Sequence, residues 1–234
     1  MRNNAIRWWE GNFDGDLKND FAVWRPSNGD WYVINSSDGT QRVQQWGTPG
    51  DIPVSGDFDG DGKTDFAVWR PSNGTWYIIY SSDGTQHTQQ WGTSGDIPVP
   101  GDYDGDGKTD FAVWRPGQGN WYVINSSNGA QSTQQWGTPG DIPAPADYDG
   151  DGKTDYAVWR PGQGNWYVIN SSDGTQRVQQ WGTPGDFPVP ADYDGDGKAD
   201  FAVWRPGIGE WYVINSSNGV QQTQQWGTPG DIPC

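Results

Sequence analysis

The stretch GDYDGDGKTDFAVWRP, residues 101–116, sets four aspartates within nine residues directly before an aromatic, apolar segment. So many neighbouring carboxylates repel one another unless a cation lies among them. The Trp-Arg-Pro triplet that closes the stretch begins at residues 24, 69, 114, 159 and 204, a constant spacing of 45. The stretch is therefore one part of a tandem repeat, and the repeat decides the fold.

The repeat units are near-copies of one another. Residues 136–180 and 181–225 agree at 35 of 45 positions, and no insertion or deletion breaks the spacing. A second string, Gln-Gln-Trp-Gly, places tryptophans at residues 46, 91, 136, 181 and 226 with the same period. The 234 residues therefore contain five units and nine further residues.

The composition is that of a β protein with an aromatic core. Tryptophan supplies 17 residues, and 35 glycines with 17 prolines are typical of short strands joined by tight turns. The net charge of −16 argues against nucleic acid and anionic membranes as partners. No apolar run approaches the length of a membrane span, so no membrane insertion is expected. The single cysteine, Cys234, excludes an internal disulfide.

Each unit predicts four short strands. In the unit that begins at residue 91, these are expected at 96–102, 110–116, 120–125 and 130–137. The second and third are rich in apolar residues on both faces and must be covered on both, whereas the fourth is polar and belongs at a solvent-facing rim. Four-stranded sheets at this period describe a β-propeller; the alternative, a linear β-solenoid, has shorter rungs.

The predicted fold class is therefore all-β: a five-bladed β-propeller of four-stranded antiparallel blades in a single domain over residues 1–234. The blades are expected at 5–47, 50–92, 95–137, 140–182 and 185–227. In the first blade the opening strand is divergent, AIRWWEG at residues 5–11. Residues 228–234 are expected to form a C-terminal tail or a clasp over the first blade; the alternative is that the last nine residues begin a sixth repeat of a longer array.

The aspartate-rich loops have the spacing of a calcium site. Aspartates at loop positions 1, 3, 5 and 9, the carbonyl at position 7 and a glycine at position 6 are how a short loop wraps Ca²⁺. Solvated Asx turns are the alternative, but a turn needs one aspartate and not four; Mg²⁺ is the lesser metal alternative, because it keeps its waters. The predicted ligands, with each lysine contributing its carbonyl, are Asn12, Asp14, Asp16, Lys18, Asp20, Asp57, Asp59, Asp61, Lys63, Asp65, Asp102, Asp104, Asp106, Lys108, Asp110, Asp147, Asp149, Asp151, Lys153, Asp155, Asp192, Asp194, Asp196, Lys198 and Asp200.

The first of these loops departs from the pattern. Asn12 replaces the carboxylate at position 1, and Leu17 replaces the glycine at position 6. A side chain at positive φ costs about 1 kcal/mol or more. We therefore expect four strong Ca²⁺ sites and one weaker site.

The Asp-x-Asp-Gly-Asp-Gly-Lys-x-Asp loop between first and second strands resembles the FG-GAP/VCBS repeats of bacterial extracellular proteins, which are related to the integrin α propeller and to fungal propeller lectins. The similarity covers essentially the whole chain, although the Phe-Gly and Gly-Ala-Pro strings of that family are absent and Trp-Arg-Pro replaces the latter. It implies a calcium-braced propeller that binds glycans or proteins outside the cell. The expected location is extracellular, although no signal peptide pattern follows Met1.

No catalytic constellation is visible in the sequence, so the chain is not expected to be an enzyme. The one histidine, His87, lies in a variable strand, and the only glutamates are Glu10 and Glu210. The other carboxylates recur with the repeat, whereas a catalytic pair needs differently tuned partners in one place. Binding is therefore the expected activity.

The expected ligands are glycans, bound at several equivalent sites by a monomer. A sugar site needs an aromatic face and fixed hydrogen-bond donors. The candidates are Trp46, Trp91, Trp136, Trp181, Trp226, Arg25, Arg70, Arg115, Arg160 and Arg205. The alternatives are a protein-binding or adhesion module that recognises extracellular or cell-surface proteins, and a symmetric scaffold, designed or recently amplified, with no ligand.

Overall fold

The computed structural model describes residues 11–228, which form five antiparallel sheets. Blade 1 has three strands within this range and blades 2 to 5 have four each. Blade 1 contains β1 (Phe21–Arg25), β2 (Asp30–Ile34) and β3 (Gln41–Gln45); blade 2 contains β4 (Ile52–Gly56), β5 (Asp65–Arg70), β6 (Thr75–Ile79) and β7 (Gln86–Gln90); blade 3 contains β8 (Ile97–Pro98), β9 (Phe111–Arg115), β10 (Asn120–Ile124) and β11 (Gln131–Gln135). Blade 4 contains β12 (Ile142–Pro143), β13 (Tyr156–Arg160), β14 (Asn165–Ile169) and β15 (Gln176–Gln180); blade 5 contains β16 (Phe187–Pro188), β17 (Phe201–Arg205), β18 (Glu210–Ile214) and β19 (Gln221–Gln225).

Each sheet is a simple meander in which consecutive strands pair. The predicted all-β fold of five blades in a propeller arrangement is confirmed, and the sheets recur at the 45-residue spacing of the sequence. The expected first strand of blade 1, over 5–11, lies outside the described residues apart from Gly11, and so does the proposed clasp apart from Thr228. No helix long and apolar enough to cross a membrane occurs between residues 11 and 228.

The first strand of most blades is short because proline interrupts it. In blade 3, β8 pairs with β9 at only two positions, Ile97 with Trp114 and Pro98 with Val113. A separate bridge joins Gly101 to Asp110 beyond Pro100. Proline donates no ladder hydrogen bond and is confined to edges and irregular pairing. The aspartate loop lies between the two residues of this bridge, so that the bridge closes the loop at its base.

The core lies between the blades. In the cluster around Trp69 and Trp76, residues of blade 2 pack against Val113 of blade 3. The corresponding clusters join blade 1 to 2, blade 3 to 4 and blade 4 to 5. The second and third strands carry apolar side chains on both faces because a neighbouring blade covers each face. The fourth strands are largely exposed, as their glutamine-rich sequences predict.

Candidate metal centres

The aspartate at loop position 1 organises the loop from within. In blade 2 the carboxylate of Asp57 accepts the backbone N–H groups of Gly60 at 2.6 Å, Asp61 at 3.2 Å and Gly62 at 2.8 Å. Gly62 has φ 86°, a left-handed conformation that glycine adopts at little cost. The loop therefore curls around a carboxylate, as it must in order to turn several oxygens towards one point.

The aspartate at position 9 ties the loop to the sheet. Asp65 begins β5 and is buried; its carboxylate accepts the backbone N–H of Phe58 at 2.8 Å and that of Ser81 at 2.7 Å. Burial raises the pKa of Asp65 to about 6, against the opposing effect of these hydrogen bonds. Burial likewise raises the pKa values of Asp110 and Asp155 to about 6. Burial makes the ionised form of these carboxyl groups unfavourable, and a bound cation would offset that cost.

Each of the five loops brings three carboxylate oxygens within 4.8 Å of one another. The groups are Asp14, Asp16 and Asp20; Asp57, Asp59 and Asp61; Asp102, Asp104 and Asp110; Asp147, Asp149 and Asp155; Asp192, Asp194 and Asp200. Calcium binds oxygen at about 2.3–2.6 Å, so ligands on opposite sides of the ion lie roughly 4.8 Å apart. The donor set is all oxygen, which suits Ca²⁺ or Mg²⁺ and not zinc or copper. The residues present therefore fit a calcium ion.

A pair of serines in every blade supports the loop, and sequence reasoning missed them. In blade 2 the hydroxyl of Ser82 donates to Asp59 at 2.6 Å and that of Ser81 donates to Asp61 at 2.9 Å. The same pairs occur in the other blades as Ser36 and Ser37, Ser126 and Ser127, Ser171 and Ser172, and Ser216 and Ser217. The signal was available, because Ser-Ser recurs unchanged in all five units.

The lysine at loop position 7 has two distinct attachments. Its backbone N–H points into its own loop, as Lys108 N donates to Asp106 at 2.9 Å. Its side chain crosses to the preceding loop, where Lys108 Nζ donates to the carbonyl of Asp59 at 2.8 Å. The predicted role of the lysine carbonyl as a metal ligand stays a prediction, and the lysine side chain links adjacent loops.

Loop 1 carries the expected distortions. Leu17 has φ 67° and is the one non-glycine residue with positive φ among residues 11–228. Asn12 accepts one N–H, from Gly15 at 2.9 Å, where Asp57 accepts three. Loop 1 still assembles three carboxylates from Asp14, Asp16 and Asp20. The weaker site expected here therefore keeps acidic ligands but has a less supported backbone.

The tryptophans proposed as sugar platforms lie at the junctions between blades. The indole N–H of Trp46 donates to the carbonyl of Tyr77 in blade 2 at 2.9 Å. Trp91, Trp136 and Trp181 make the same bond to the next blade, and all four rings are half-buried. The fifth ring, Trp226, is exposed. The indole N–H of each of the four junction rings is therefore already used in a bond to the next blade. The predicted role of these rings in stacking on a sugar stays a prediction.

The carbonyl of each junction tryptophan also receives two further indoles. In blade 1, Trp24 and Trp31 both donate to the carbonyl of Trp46, at 3.1 and 3.2 Å. The Trp24 column is buried throughout and the Trp31 column is buried in blades 1 to 4. These two columns form the core of blades 1 to 4, and within these blades the Trp46 column is the one whose described tryptophans keep accessible surface.

The arginines proposed beside the sugar site are paired within the protein. Arg70 forms a two-pronged ion pair with Asp51, at 2.7 and 2.8 Å, and its guanidinium lies 4.3 Å from the ring centre of Tyr77. Arg115, Arg160 and Arg205 repeat both contacts. Arg25 lies over Tyr32 and donates to its hydroxyl at 2.6 Å. Hydrogen bonding to Asp51 raises the pKa of Arg70, and the two-pronged ion pair holds the guanidinium in place.

The residues set aside as non-catalytic lie apart from the loops. His87 stacks on Tyr80 at 3.9 Å between ring centres, on the exposed strand β7. Glu210 accepts a hydrogen bond from the hydroxyl of Tyr212. Glu10 lies outside the described residues. His87 Nε2 lies 3.2 Å from the hydroxyl of Thr85, its neighbour two positions earlier. The expectation that the chain is not an enzyme stays a prediction.

The repeated sheets and their carboxylate loops define a tandem-repeat β-propeller. The chain belongs to the FG-GAP-like repeat family, whose model matches residues 57–113, 102–158 and 147–203. This confirms the resemblance found in the sequence. No curated protein matches the chain in sequence.

Solved structures share the fold at low sequence identity. A catalytically inactive virginiamycin B lyase from Staphylococcus aureus, solved with quinupristin, is 13% identical with a TM-score of 0.59, over 98% of this chain and 73% of the lyase. A lectin from Agrocybe aegerita that recognises non-reducing terminal N-acetylglucosamine is 16% identical with a TM-score of 0.59, over 91% of this chain and 64% of the lectin. An auxiliary nutrient binding protein from Bacteroides ovatus is 12% identical with a TM-score of 0.58, over 94% of this chain and 59% of the nutrient binding protein. These similarities show the fold alone, which serves both enzymes and binding proteins.

Proposed function

We propose that the chain is a non-catalytic, calcium-stabilised propeller module that binds glycans outside the cell. The observation that carries the metal part is the recurrence of three converging carboxylates at the same place in all five blades. A single acidic cluster is common on protein surfaces. Five clusters, each braced by serines and by backbone N–H groups, indicate that the chain holds them together for a cation.

Calcium would stabilise each blade at the aspartate loop, where carboxylates otherwise repel one another. The ion would be held by the carboxylates at loop positions 1, 3, 5 and 9 and by the position-7 carbonyl, and it would supply the positive charge that these groups otherwise lack. Since position 9 opens the second strand, a metal there joins loop to sheet. No chemistry beyond charge neutralisation is required of it.

Calorimetric titration of chelator-treated protein with CaCl₂ tests this role. Asp104→Asn removes one charge from loop 3 and should abolish or weaken one binding event out of the set. Asp83→Asn is the matched control: Asp83 lies in the turn after β6, outside the loops, and the equivalent positions in blades 3 and 5 are Asn128 and Asn218. Equal titrations for the wild type and Asp104→Asn would contradict the assignment.

Glycan binding is supported by the repeated junctions and by the related fold of the Agrocybe aegerita lectin. Half-buried rings at Trp91, Trp136 and Trp181 leave part of each aromatic surface accessible at equivalent positions. Equivalent sites of low affinity gain avidity on a repetitive surface without any single tight contact. An extracellular location fits this activity and supplies the calcium.

A glycan array read with Ca²⁺ and with EDTA tests the proposal. Trp136→Phe and Trp136→Ala both remove the indole N–H that bonds to Tyr167, but only Ala removes the ring. Binding retained by Phe and lost by Ala, with equal calcium content and circular dichroism, would support a stacking platform. Equal binding by the two variants would exclude it. An array without any bound glycan would favour a protein ligand or a scaffold.

A further inference from the structure

Every internal junction between blades uses the same set of contacts. The junction tryptophan of one blade donates its indole N–H to a tyrosine carbonyl of the next blade, at 2.9–3.0 Å in all four cases. An aromatic ring of the aspartate loop stacks on the first aromatic of the next blade's second strand. These pairs are Phe13 with Phe66, Phe58 with Phe111, Tyr103 with Tyr156, and Tyr148 with Phe201.

The loops of adjacent blades join in the same regular way. The carbonyl at loop position 1 accepts a backbone N–H from the next loop, as Asp57 does from Thr109 at 2.7 Å. The next loop's lysine lies across the glycine at position 4: a Cβ on Gly60 would lie 2.6 Å from Cε of Lys108. Each blade thus has an outgoing face, with the tryptophan and loop ring, and an incoming face, with the tyrosine carbonyl and strand aromatic.

Within residues 11–228, blade 1 and blade 5 each leave one of these faces exposed. On the incoming face of blade 1, Phe21 is 78% exposed and Val23 is 56% exposed, whereas their blade 2 equivalents Phe66 and Val68 are 9% and 0% exposed. Every other blade buries the column of Val23, and every other blade buries or half-buries the column of Phe21. The incoming face of blade 1 therefore carries the residues of an internal junction, and no blade within residues 11–228 packs on it.

The outgoing face of blade 5 is uncovered in the same columns. Trp226 is 76% exposed and donates no indole bond within the described residues, and Tyr193 is 44% exposed. A Cβ on Gly195 would meet nothing within 4 Å, whereas each of its equivalents, Gly15, Gly60, Gly105 and Gly150, is covered by a lysine. Among residues 11–228, the core cluster of blade 5 accordingly contains no residue of another blade.

From these two faces we infer that the chain associates head to tail, with the outgoing face of blade 5 packed on the incoming face of blade 1 of a second copy. The internal junctions specify the contacts: Trp226 Nε1 donates to the carbonyl of Tyr32 of the second copy, and Tyr193 stacks on its Phe21. Lys18 of the second copy covers Gly195. Because the two faces differ, the contact is heterologous and can continue to further copies.

The exposed apolar faces of blades 1 and 5 are the reason for this association. Repeat proteins that remain monomeric cover their terminal units with polar surfaces, since the end of a repeat array otherwise presents a core interface to water. Blade 1 and blade 5 carry the core residues of an internal blade and no polar replacement for them. The sequence-based expectation was a monomer, and it did not consider these faces.

Sedimentation velocity of the calcium-loaded chain, from micromolar to submillimolar concentration, tests the inference. The wild type should form dimers and larger species with concentration. Val23→Asp on one face and Trp226→Ala on the other should each raise the self-association constant Kd by at least about tenfold. Val178→Asp is the matched control, because Val178 is 60% exposed in an internal blade and so lies outside the junctions. Circular dichroism checks that each variant is folded. Because the two variants lie on opposite faces, misfolding of one still leaves the other as a test.

Cross-linking distinguishes a second copy from closure of one chain upon itself. In a Cys234→Ser background, Phe21→Cys and Tyr193→Cys are made separately, mixed and treated with a short bis-maleimide. A cross-linked heterodimer supports the inference. Rapid internal cross-linking of the double variant as a monomer would mean that blade 5 closes on blade 1 of the same chain and would overturn it. A wild type that stays monomeric at every concentration, or oligomers that Val23→Asp and Trp226→Ala leave intact, would overturn it as well.

Discussion

The carboxylate of Asp65 accepts the backbone N–H of Ser81 at 2.7 Å, although the two residues are 16 positions apart. The bond ties the end of the aspartate loop to the turn that follows β6, so loop, second strand and third strand form one unit. The same bond recurs in all five blades. The state of the loop carboxylates is therefore coupled to the stability of the sheet.

Removal of calcium should lower the melting temperature. Without metal each loop holds three converging carboxylates, and this like-charge arrangement opposes folding. Binding to the folded state alone stabilises it by about 2.7 kcal/mol per site at a hundredfold excess over Kd. Differential scanning calorimetry in CaCl₂ and in EDTA measures the shift, and restoring CaCl₂ is the control for reversibility. Superimposable melting curves in the two buffers would contradict a stabilising metal.

The stability of the metal-free protein should increase as the pH falls from about 7 to about 5. Burial raises the pKa values of Asp65, Asp110 and Asp155 to about 6, above the unfolded value of 3.8, so the folded state binds more protons in this range. Stability is then lost as the pH rises through about 6. Urea denaturation in EDTA over this range measures the trend.

Calcium should reverse that dependence. The ion binds the ionised carboxylates, so its affinity falls as these groups take up protons below about pH 6. Calorimetric titrations at several pH values measure this directly. A calcium affinity that does not change across this range would show that these buried aspartates do not bind the metal.

The serine that supports loop position 3 should affect calcium affinity. Ser82 donates to Asp59 at 2.6 Å, and hydrogen bonds that orient a metal ligand are worth about tenfold or more in affinity. Ser82→Ala should weaken the blade 2 site by this factor and leave the others unchanged. Ser72→Ala, at an exposed turn position of the same blade, is the matched control. Equal calcium affinities for the two variants would show that the serines do not support the site.

The sequence predicted the blades well because their signal is local. The alternation of apolar residues in FAVWR and the glycine at each turn lie within a few residues of one another, and the register of the strands follows from them. The pairing of Arg70 with Asp51 was not predicted, because it depends on the opposition of Ile52 and Trp69 across two strands. From the sequence alone the arginine is therefore a candidate either for a ligand contact or for a cation–π contact with a ring, and the structure shows the latter over Tyr77.

The exposure of the terminal faces could not be predicted from the repeat at all. Phe21 and Phe66 occupy the same column, and only the presence of a neighbouring blade makes one exposed and the other buried. Periodicity describes a unit and its neighbours but carries no information about whether the last unit meets the first. The expected weakness of the loop 1 site, by contrast, could be predicted from the sequence, because Leu17 stands within the repeat unit at the position where the other loops have glycine.

Relief of the strain at Leu17 should stabilise blade 1. Its φ of 67° is a conformation that costs a side chain about 1 kcal/mol relative to glycine. Leu17→Gly should raise the free energy of unfolding by about this amount in EDTA and raise calcium affinity at loop 1. Gly62→Leu, at the equivalent position with φ 86°, should have the opposite effect on blade 2. If both substitutions changed the free energy of unfolding in the same direction, backbone conformation would not be the cause of the difference between the two loops.

The indole bond at a junction should contribute measurably to stability. Trp181 Nε1 donates to the carbonyl of Tyr212 at 3.0 Å, and Trp181→Phe keeps an aromatic ring while leaving that carbonyl without its partner. The loss should be about 1 kcal/mol, or more if water cannot reach the carbonyl. Trp226→Phe makes the same chemical change at a ring that is exposed and donates no such bond within the described residues. In dilute solution, where copies do not associate, urea denaturation should therefore show a loss for Trp181→Phe and almost none for Trp226→Phe. If both variants lost the same stability, the effect would come from the smaller ring, and the junction bond would contribute nothing of its own.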